Sequence, residues 1–280
     1  MAAMKTFREK LREAARTTNS FVCVGLDPDP AKMALPDTAA FNRAIVDATA
    51  DLVCAYKPQL AFYEAMGMPG LQALADTVAH IRDVAPQAII LGDAKRGDIG
   101  STATAYARAM FEVWGFDACT VNAYQGIDAV EPFIRYADRG VFVLCRSSNP
   151  SARDLQDLPV TVDGETMPVY RVVARLAQQW NTAGNVGLVL GATYPEQLDE
   201  VRRSHPRLPV LIPGIGAQGG DVIAATQLGL DADGGGILVS SSRAILYASS
   251  DPRDFAAAAR SVALTLRGEI NAAKAAMPAR

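Results

Sequence analysis

The amino-acid sequence predicts an α/β fold, a closed (β/α)8 TIM barrel that forms one domain over residues 1–280. Eight short apolar runs recur along the chain, and helix-like segments separate most of them. The runs are continuous rather than alternating, which is typical of parallel strands that helices cover on both faces. Eight such units in a chain of this length favour the barrel, with a doubly wound open sheet as the competing arrangement.

The predicted elements follow in chain order. An amphipathic, charged helix is expected over about 4–17 and a last helix over about 252–274. The eight strands are predicted over residues 21–27, 52–58, 88–95, 118–124, 140–146, 185–192, 209–216 and 235–242. The stretch 147–168 is rich in Pro, Ser and Asp, and irregular stretches of that length are usually functional lids or disordered.

Composition limits the classes of function. The net charge of −3 gives no general attraction to nucleic acid or to an anionic membrane. No apolar run has membrane-spanning length, and the first helix lacks the apolar centre of a signal peptide, so we expect a cytoplasmic protein. Two histidines offer little material for a zinc site or a Ser-His-Asp triad, and the four cysteines are expected to be buried free thiols.

The segment LGDAKRGDIGST, residues 91–102, places four charges at the end of the third predicted strand. Asp93 and Lys95 are two residues apart in an extended segment, so they should share a face, about 6–7 Å apart along the strand. A lysine flanked by carboxylates stays protonated and is therefore a general acid rather than a Schiff-base nucleophile. This pairing suits a reaction that expels carbon dioxide and protonates the carbanion left behind.

Plainer interpretations of the same residues stay open. Asp98 stands where it could simply cap the following helix, and Asp93 with Lys95 could be a buried ion pair. Such a pair is a weak source of stability, however, and other predicted strands also end in polar residues, where barrel active sites lie. Those residues are Asp27, Lys57, Arg146 and Ser148.

Two later segments predict an anion site. IPGIGAQGGD, residues 212–221, opens a helix after the seventh predicted strand, and LVSSSRAI, residues 238–245, follows the eighth. Glycine-rich backbone at the start of a helix presents free N–H groups, and Arg243 can hold a phosphate through two parallel hydrogen bonds. Phosphate sites in barrels are often formed by these two loops.

Taken together, the motifs resemble the orotidine 5'-phosphate decarboxylase family, most closely its longer bacterial subgroup, type 2. The family pattern Asp-x-Lys-x-x-Asp-Ile-x-x-Thr is matched without departure by residues 93–102. GLDPDP at 25–30, YKP at 56–58, SSNP at 147–150 and IPGIGAQGG at 212–220 resemble the family's first-, second-, fifth- and seventh-strand motifs. The similarity spans roughly residues 20–247.

The resemblance implies an enzyme that converts orotidine 5'-phosphate to UMP and carbon dioxide in de novo pyrimidine biosynthesis, with neither a cofactor nor a metal. It assigns catalytic roles to Lys95 (proton donor to C6), Asp93 (against the departing carboxylate), Lys57 and Asp98. It assigns substrate-binding roles to Asp27 (a ribose hydroxyl), Thr102, Ser148 (the pyrimidine), and Gly214, Gly216, Gln218, Ser242 and Arg243 (the phosphate). Many shorter members have Gly where this chain has Ser242.

In the family, the position of Asp98 reaches into the neighbouring subunit, so the resemblance also implies a homodimer with shared active sites. Two other functions stay open. Sugar-phosphate aldolases or decarboxylases of the same barrel group use a magnesium ion held partly by a glutamate after the second strand, and here Glu64 lies seven residues beyond Lys57. A nucleotide-phosphate sensor without catalysis would need only the phosphate loops.

Overall fold

Eight parallel strands close into a barrel. The structure, a computed structural model, describes residues 5–215 and 220–277. The barrel strands are β1 (Val22–Leu26), β2 (Ala55–Pro58), β3 (Ile89–Arg96), β4 (Ala118–Val121), β5 (Gly140–Arg146), β8 (Val186–Leu190), β9 (Val210–Ile212) and β10 (Ile237–Ser241), while β6 (Pro159–Val162) and β7 (Glu165–Pro168) form a separate hairpin. Because β1 pairs with both β2 and β10, the predicted barrel is confirmed and the open sheet is excluded.

Helices follow most of the strands and cover the outside of the barrel. They are α1 (Phe7–Thr18), α2 (Thr38–Thr49), α3 (Leu60–Ala65), α4 (Gly67–Val84), α5 (Gly100–Arg108), α6 (Glu131–Ile134), α7 (Val169–Trp180), α8 (Pro195–Ser204), α9 (Val222–Gly229), α10 (Arg243–Leu246) and α11 (Phe255–Ala275). The two terminal helices begin about three residues later than the sequence suggested. For α1 the reason is a capping box, in which Thr6 and Glu9 satisfy each other's backbone N–H groups. No helix in the described part of the chain is long and apolar enough to cross a membrane.

The core has two layers, which follow from the alternation of side chains along each buried strand. Outward residues pack under the helices, and inward residues fill the barrel. Helix α1 closes the barrel at the amino-terminal end of the strands, where Phe7 packs edge-on against Phe142 with ring centroids 5.9 Å apart. All four cysteines are free and buried, as expected. The opposite end of the barrel is left for polar side chains.

The stretch 147–168 is more regular than expected, so the expectation of an irregular or disordered segment is wrong. It contains a 3-10 turn, Pro150–Asp154, and the β6–β7 hairpin. The hairpin turns at Asp163 and Gly164, which both have positive φ (54° and 81°), as the Asp-Gly type I′ turn requires. The Asp-Gly pair between two short alternating runs is the sequence signal for this hairpin.

This insert is tied to the end of β5. The guanidinium of Arg146 is buried and donates to both carboxylate oxygens of Asp157, at 2.8 and 3.0 Å. Gln156 accepts a hydrogen bond from the backbone N–H of Ser147 at 2.8 Å. The charge at Arg146 therefore holds the insert in place rather than facing the cavity described below.

Candidate active site

A cavity of about 330 Å³ opens at the carboxyl end of the barrel strands. Residues from the charged motif and from the two segments predicted to bind an anion line the same cavity, although they are more than 100 residues apart in sequence. The predicted residues in its walls are Asp27, Lys57, Asp93, Lys95, Ser148, Gly214, Ser242 and Arg243. The structure thus brings together eight of the twelve residues that the sequence singled out.

The alternation of the strands explains why the charges point inward. Ile89 and Leu91 of β3 belong to the cluster inside the barrel, and Asp93 follows at the same spacing. In the same way Ala55 of β2 lies inside, and Lys57 follows two residues later. Near the middle of the barrel these positions are apolar, so on β2 and β3 an inward-facing charge appears only near the carboxyl end of the strand.

Asp93 is the centre of a hydrogen-bond network. Its Oδ1 accepts from the Lys95 ammonium at 2.7 Å and from the Thr120 hydroxyl at 2.8 Å. Its Oδ2 accepts from the Lys57 ammonium at 3.1 Å and from the Gln59 amide at 2.9 Å. Two cations and two neutral donors therefore fix the orientation of one buried carboxylate.

The pKa values follow from this network. Burial alone would raise the pKa of Asp93, but the nearby Lys57 and Lys95 ammonium groups outweigh it and hold that pKa well below its usual range. Burial would likewise lower the pKa of Lys57, and Asp93 and Asp27 reverse the effect, so that the pKa of Lys57 lies above its usual value. Both groups are therefore charged at neutral pH.

Lys95 reaches Asp93 by a route that the sequence did not indicate. The expected extended geometry is wrong, because Lys95 has a left-handed backbone with φ of 46° and the register of β3 against β4 shifts between Gly92 and Arg96. The bulge turns the Lys95 side chain back over Asp93. That side chain is 43% exposed, so its ammonium faces the cavity rather than the barrel interior.

Asp27 extends the network on the other side of Lys57. Its Oδ1 lies 3.7 Å from the Lys57 ammonium and is buried without a hydrogen-bond partner among the described residues. Its backbone oxygen accepts from the Tyr247 hydroxyl at 2.7 Å, which holds the end of β1 in place. An unsatisfied buried carboxylate oxygen in a cavity wall fits a ligand that donates a hydroxyl proton.

The opposite wall is built from backbone and one arginine. Gly214 follows β9 with φ of 98°, a conformation that would be strained in a residue with a side chain. Ser242 sits directly above Gly25, and a side chain at Gly25 would collide with the Ser242 hydroxyl. Arg243 is exposed and pairs with no carboxylate in residues 5–215 and 220–277. Gly216 and Gln218, predicted for the same wall, lie outside the described residues.

Ser148 lies between these two walls, at the end of β5. Its backbone oxygen accepts from the Thr193 hydroxyl at 3.2 Å, and a side chain at Gly191 would press against its backbone. The neighbours Ser147 and Asn149 line the cavity as well. The loop after β5 therefore forms a polar edge of the cavity at the point where the insert is anchored.

The comparisons with known proteins agree with this geometry. Residues 20–259 match the orotidine 5'-phosphate decarboxylase / HUMPS family. The chain belongs to this family. It is 50% identical over 279 residues to the orotidine 5'-phosphate decarboxylase of Cellvibrio japonicus, covering 96% of this chain and 100% of the relative. It is also 50% identical over 273 residues to that of Cupriavidus necator, covering 95% and 98%.

Solved structures give the same result. The orotidine 5'-phosphate decarboxylase of Leishmania donovani superposes with a TM-score of 0.83 at 40% identity, covering 97% of this chain and all of that one. The UMP synthase of the same organism superposes with a TM-score of 0.86 at 41% identity, covering 98% of this chain and 57% of that one. As a member of this family the chain is an enzyme, a carboxy-lyase.

Two residues of the family motif do not reach the cavity of their own chain. Thr102 is exposed on α5, and Asp98 lies outside the cavity wall. The capping interpretation of Asp98 is wrong, because the N-cap of α5 is Ile99 and no side chain caps that helix. The Asp98 carboxylate accepts a local bond from the N–H of Ile99 at 2.8 Å.

The magnesium alternative finds little support in the placement of Glu64. Its carboxylate pairs with the Arg96 guanidinium, outside the wall of the cavity. In the part of the chain that the structure describes, no group of three or more His, Cys, Asp or Glu side chains is arranged to hold a metal ion.

Sequence analysis missed two donors to Asp93. Gln59 follows the YKP motif directly, two residues after Lys57, and therefore faces the same way. Thr120 lies two residues after the inward-facing Ala118 of β4. In both cases the alternation along the strand could have predicted an inward-facing side chain. Neither residue is charged, however, and the sequence analysis selected charged residues at the strand ends.

Proposed function

We propose that this enzyme decarboxylates orotidine 5'-phosphate to UMP, in de novo pyrimidine biosynthesis. Two relatives at 50% identity are named orotidine 5'-phosphate decarboxylase, and the similarity covers 98–100% of their length. The observation that carries the proposal is the alternating arrangement Asp27–Lys57–Asp93–Lys95 along one cavity wall. A binder of nucleotide phosphates would not need two carboxylates paired with a buried lysine beside its ligand.

In the proposed reaction the bond between C6 and the carboxylate breaks, and the electron pair stays on C6. Asp93 is ionised and held by four donors, and it faces the carboxylate of the substrate. Repulsion between the two carboxylates raises the free energy of the bound substrate, and loss of carbon dioxide relieves it. The Lys95 ammonium stabilises the developing carbanion and donates its proton to C6. Carbon dioxide leaves, and the neutral lysine regains a proton from water. No cofactor is needed as an electron sink.

The remaining contacts hold the nucleotide. Asp27 would accept a ribose hydroxyl proton with its unsatisfied oxygen, while Lys57 links that carboxylate to Asp93. Ser148 would contact the pyrimidine. The phosphate would lie at the opposite wall, on Gly214, Gly216, Gln218, Ser242 and Arg243. The free energy of phosphate binding there offsets the cost of holding the substrate carboxylate close to Asp93.

We further propose a homodimer in which Asp98 and Thr102 complete the partner's site. Thr102 is exposed, Asp98 is half-buried, and neither lines the cavity of its own chain, which supports this arrangement. The proposal places the enzyme in the cytoplasm without nucleic-acid or membrane partners, in keeping with its net charge of −3.

Shared sites can be tested by mixing two inactive variants, Lys95→Ala and Asp98→Ala. In a 1:1 mixture after subunit exchange, half of the dimers are mixed, and each has one intact site, so about a quarter of wild-type activity should return. Asp98 acting within its own subunit would leave the mixture as inactive as its parts.

The function itself is tested by carbon dioxide release from orotidine 5'-phosphate, with and without a chelator. We expect release that a chelator does not change. Release that a chelator abolishes would favour the magnesium-dependent sugar-phosphate enzymes of the same barrel group. Binding of UMP without any release would favour a nucleotide-phosphate sensor.

A further inference from the structure

Thr120 connects the two charged residues of β3 from the neighbouring strand. Its hydroxyl donates to Asp93 Oδ1 at 2.8 Å and accepts from the backbone N–H of Lys95 at 2.9 Å. The residue is 1% exposed and does not line the cavity. One hydroxyl thus bonds both to the carboxylate of one catalytic candidate and to the backbone of the other.

The strand register explains why a side chain is needed there. Gly92 of β3 pairs with Cys119 of β4, and pairing resumes at Arg96 with Val121. Three residues of β3 therefore stand opposite the single residue Thr120. Within this bulge the Lys95 N–H cannot use the regular ladder, and a buried N–H without a partner is costly.

The backbone of Lys95 adds a second reason. Its φ of 46° is a left-handed conformation, which strains a residue that has a side chain and persists only where the surroundings hold it. The bond to the Thr120 hydroxyl is the side-chain contact that holds this backbone. Without the bond, the peptide could relax and carry the Lys95 ammonium away from Asp93.

We propose that Thr120 is a positioning residue for the decarboxylation: its hydroxyl sets the Lys95 ammonium and the Asp93 carboxylate relative to each other. This inference rests on the proposed function. The hydroxyl is buried and does not line the cavity, so it should affect the chemical step and leave nucleotide binding unchanged. Displacements of about 1 Å at reacting groups can cost about 100-fold in rate.

The test compares Thr120→Val, which keeps the shape and removes the hydroxyl, with Thr120→Ser, which keeps the hydroxyl. We expect kcat to fall about 10- to 100-fold in Thr120→Val and to stay within about threefold of wild type in Thr120→Ser. The Kd for UMP should change by less than about threefold in both variants. A merely structural role would lower the amount of folded enzyme and leave kcat per folded site unchanged.

Thr49→Val is the matched control. Thr49 is also fully buried, and its hydroxyl bonds to the Ile45 carbonyl and to the Tyr56 hydroxyl, on α2 and away from the cavity. This variant should match the stability loss of Thr120→Val and keep wild-type kcat. If Thr120→Val does not fold, Thr120→Cys, whose thiol is a weak donor, should fold with an intermediate kcat.

Three results would overturn the inference: wild-type kcat in Thr120→Val, an equal loss in Thr120→Ser, or a loss of UMP affinity that accounts for the whole effect. These results differ from a failure of the proposed function. In that case the wild-type enzyme itself would release no carbon dioxide from orotidine 5'-phosphate.

Discussion

The two walls of the cavity are built in opposite ways. The charge cluster (Asp27, Lys57, Asp93 and Lys95) is paired within the protein, with the side chains of Lys57 and Asp93 only 5% and 10% exposed. The anion wall (Gly214, Ser242 and Arg243) is open, and within residues 5–215 and 220–277 no carboxylate neutralises its arginine. The first wall is largely paired without a ligand, and one Asp27 oxygen remains without a hydrogen-bond partner among the described residues. The second wall presents an arginine that has no carboxylate partner there.

Under the proposed function, this difference separates chemistry from binding. Fixed charges that need no rearrangement stabilise a transition state best, which suits the charge cluster. An arginine without a protein partner gains most when an anion arrives, which suits the anion wall. Loss of a residue from the first wall should therefore lower kcat, and loss from the second should raise the Kd for phosphorylated ligands.

The largest effect is expected from Lys95→Ala. The variant loses both the proton donor and the charge next to the carbanion, so kcat should fall by roughly 10⁴-fold or more. Affinity for UMP should survive in part, because the anion wall is intact. The measurement is carbon dioxide release together with UMP binding by calorimetry.

Lys5→Ala is the control for that variant. Lys5 also pairs with a carboxylate, Glu13, but it lies beside α1 at the opposite end of the barrel. Its loss should leave kcat unchanged. Turnover in Lys95→Ala within tenfold of wild type would show that Lys95 is not the proton donor. The division of the cavity into a wall for chemistry and a wall for binding would then be wrong.

Asp93→Asn should have the next largest effect, on stability. Among the described residues it leaves the buried Lys57 ammonium with Asp27, 3.7 Å away, as its one carboxylate partner, and breaking a buried pair costs about 3–5 kcal/mol. Since the pKa of Asp93 lies below its unfolded value, this stabilisation is complete above about pH 4 and is lost as the pH falls further. Urea unfolding at pH 7 should therefore show a wide gap between wild type and variant, which narrows below pH 4.

Asp199→Asn is the surface control for this measurement. Asp199 pairs with Arg203 on the exposed side of α8, so its loss should cost less than about 1 kcal/mol at either pH. A gap between wild type and Asp93→Asn that stays constant through acid pH would show that the ionised carboxylate is not what stabilises the fold.

Sequence analysis identified the residues of the charge cluster but not the geometry that brings them together. Continuous apolar runs predicted the barrel, and polar residues at strand ends predicted the cavity, because both depend on local patterns. The bulge at Lys95 and the contact with Thr120 depend on the register between β3 and β4, which no local pattern encodes. The β6–β7 hairpin was missed for another reason: its Asp-Gly turn was present in the sequence but was counted as part of an irregular stretch.

Arg243→Ala tests the anion wall and should act mainly on binding. Hydrogen bonds from a charged group contribute about 1.5–3 kcal/mol, so the Kd for UMP should rise roughly 10- to 100-fold. The affinity for uridine, which lacks the phosphate, should stay unchanged, and that difference assigns the effect to the phosphate. Arg253→Ala is the control, because Arg253 is an exposed arginine paired with Asp251. Equal losses for UMP and uridine would contradict a phosphate site.

The smallest effect is expected at the edge between the walls, from Gln156→Ala. Gln156 of the insert accepts from the Ser147 N–H at 2.8 Å and also bonds to the Ser147 hydroxyl, while Ser147 and Ser148 line the cavity. Arg146 and Asp157 still anchor the insert in this variant, so only the loop after β5 loosens. One neutral hydrogen bond contributes about 1 kcal/mol, so KM should rise about fivefold with kcat nearly unchanged.

Gln72→Ala, on the exposed side of α4, is the control. A fall in kcat as large as that of Lys95→Ala would mean that the edge belongs to the charge cluster, and that the cavity does not divide into a wall for chemistry and a wall for binding.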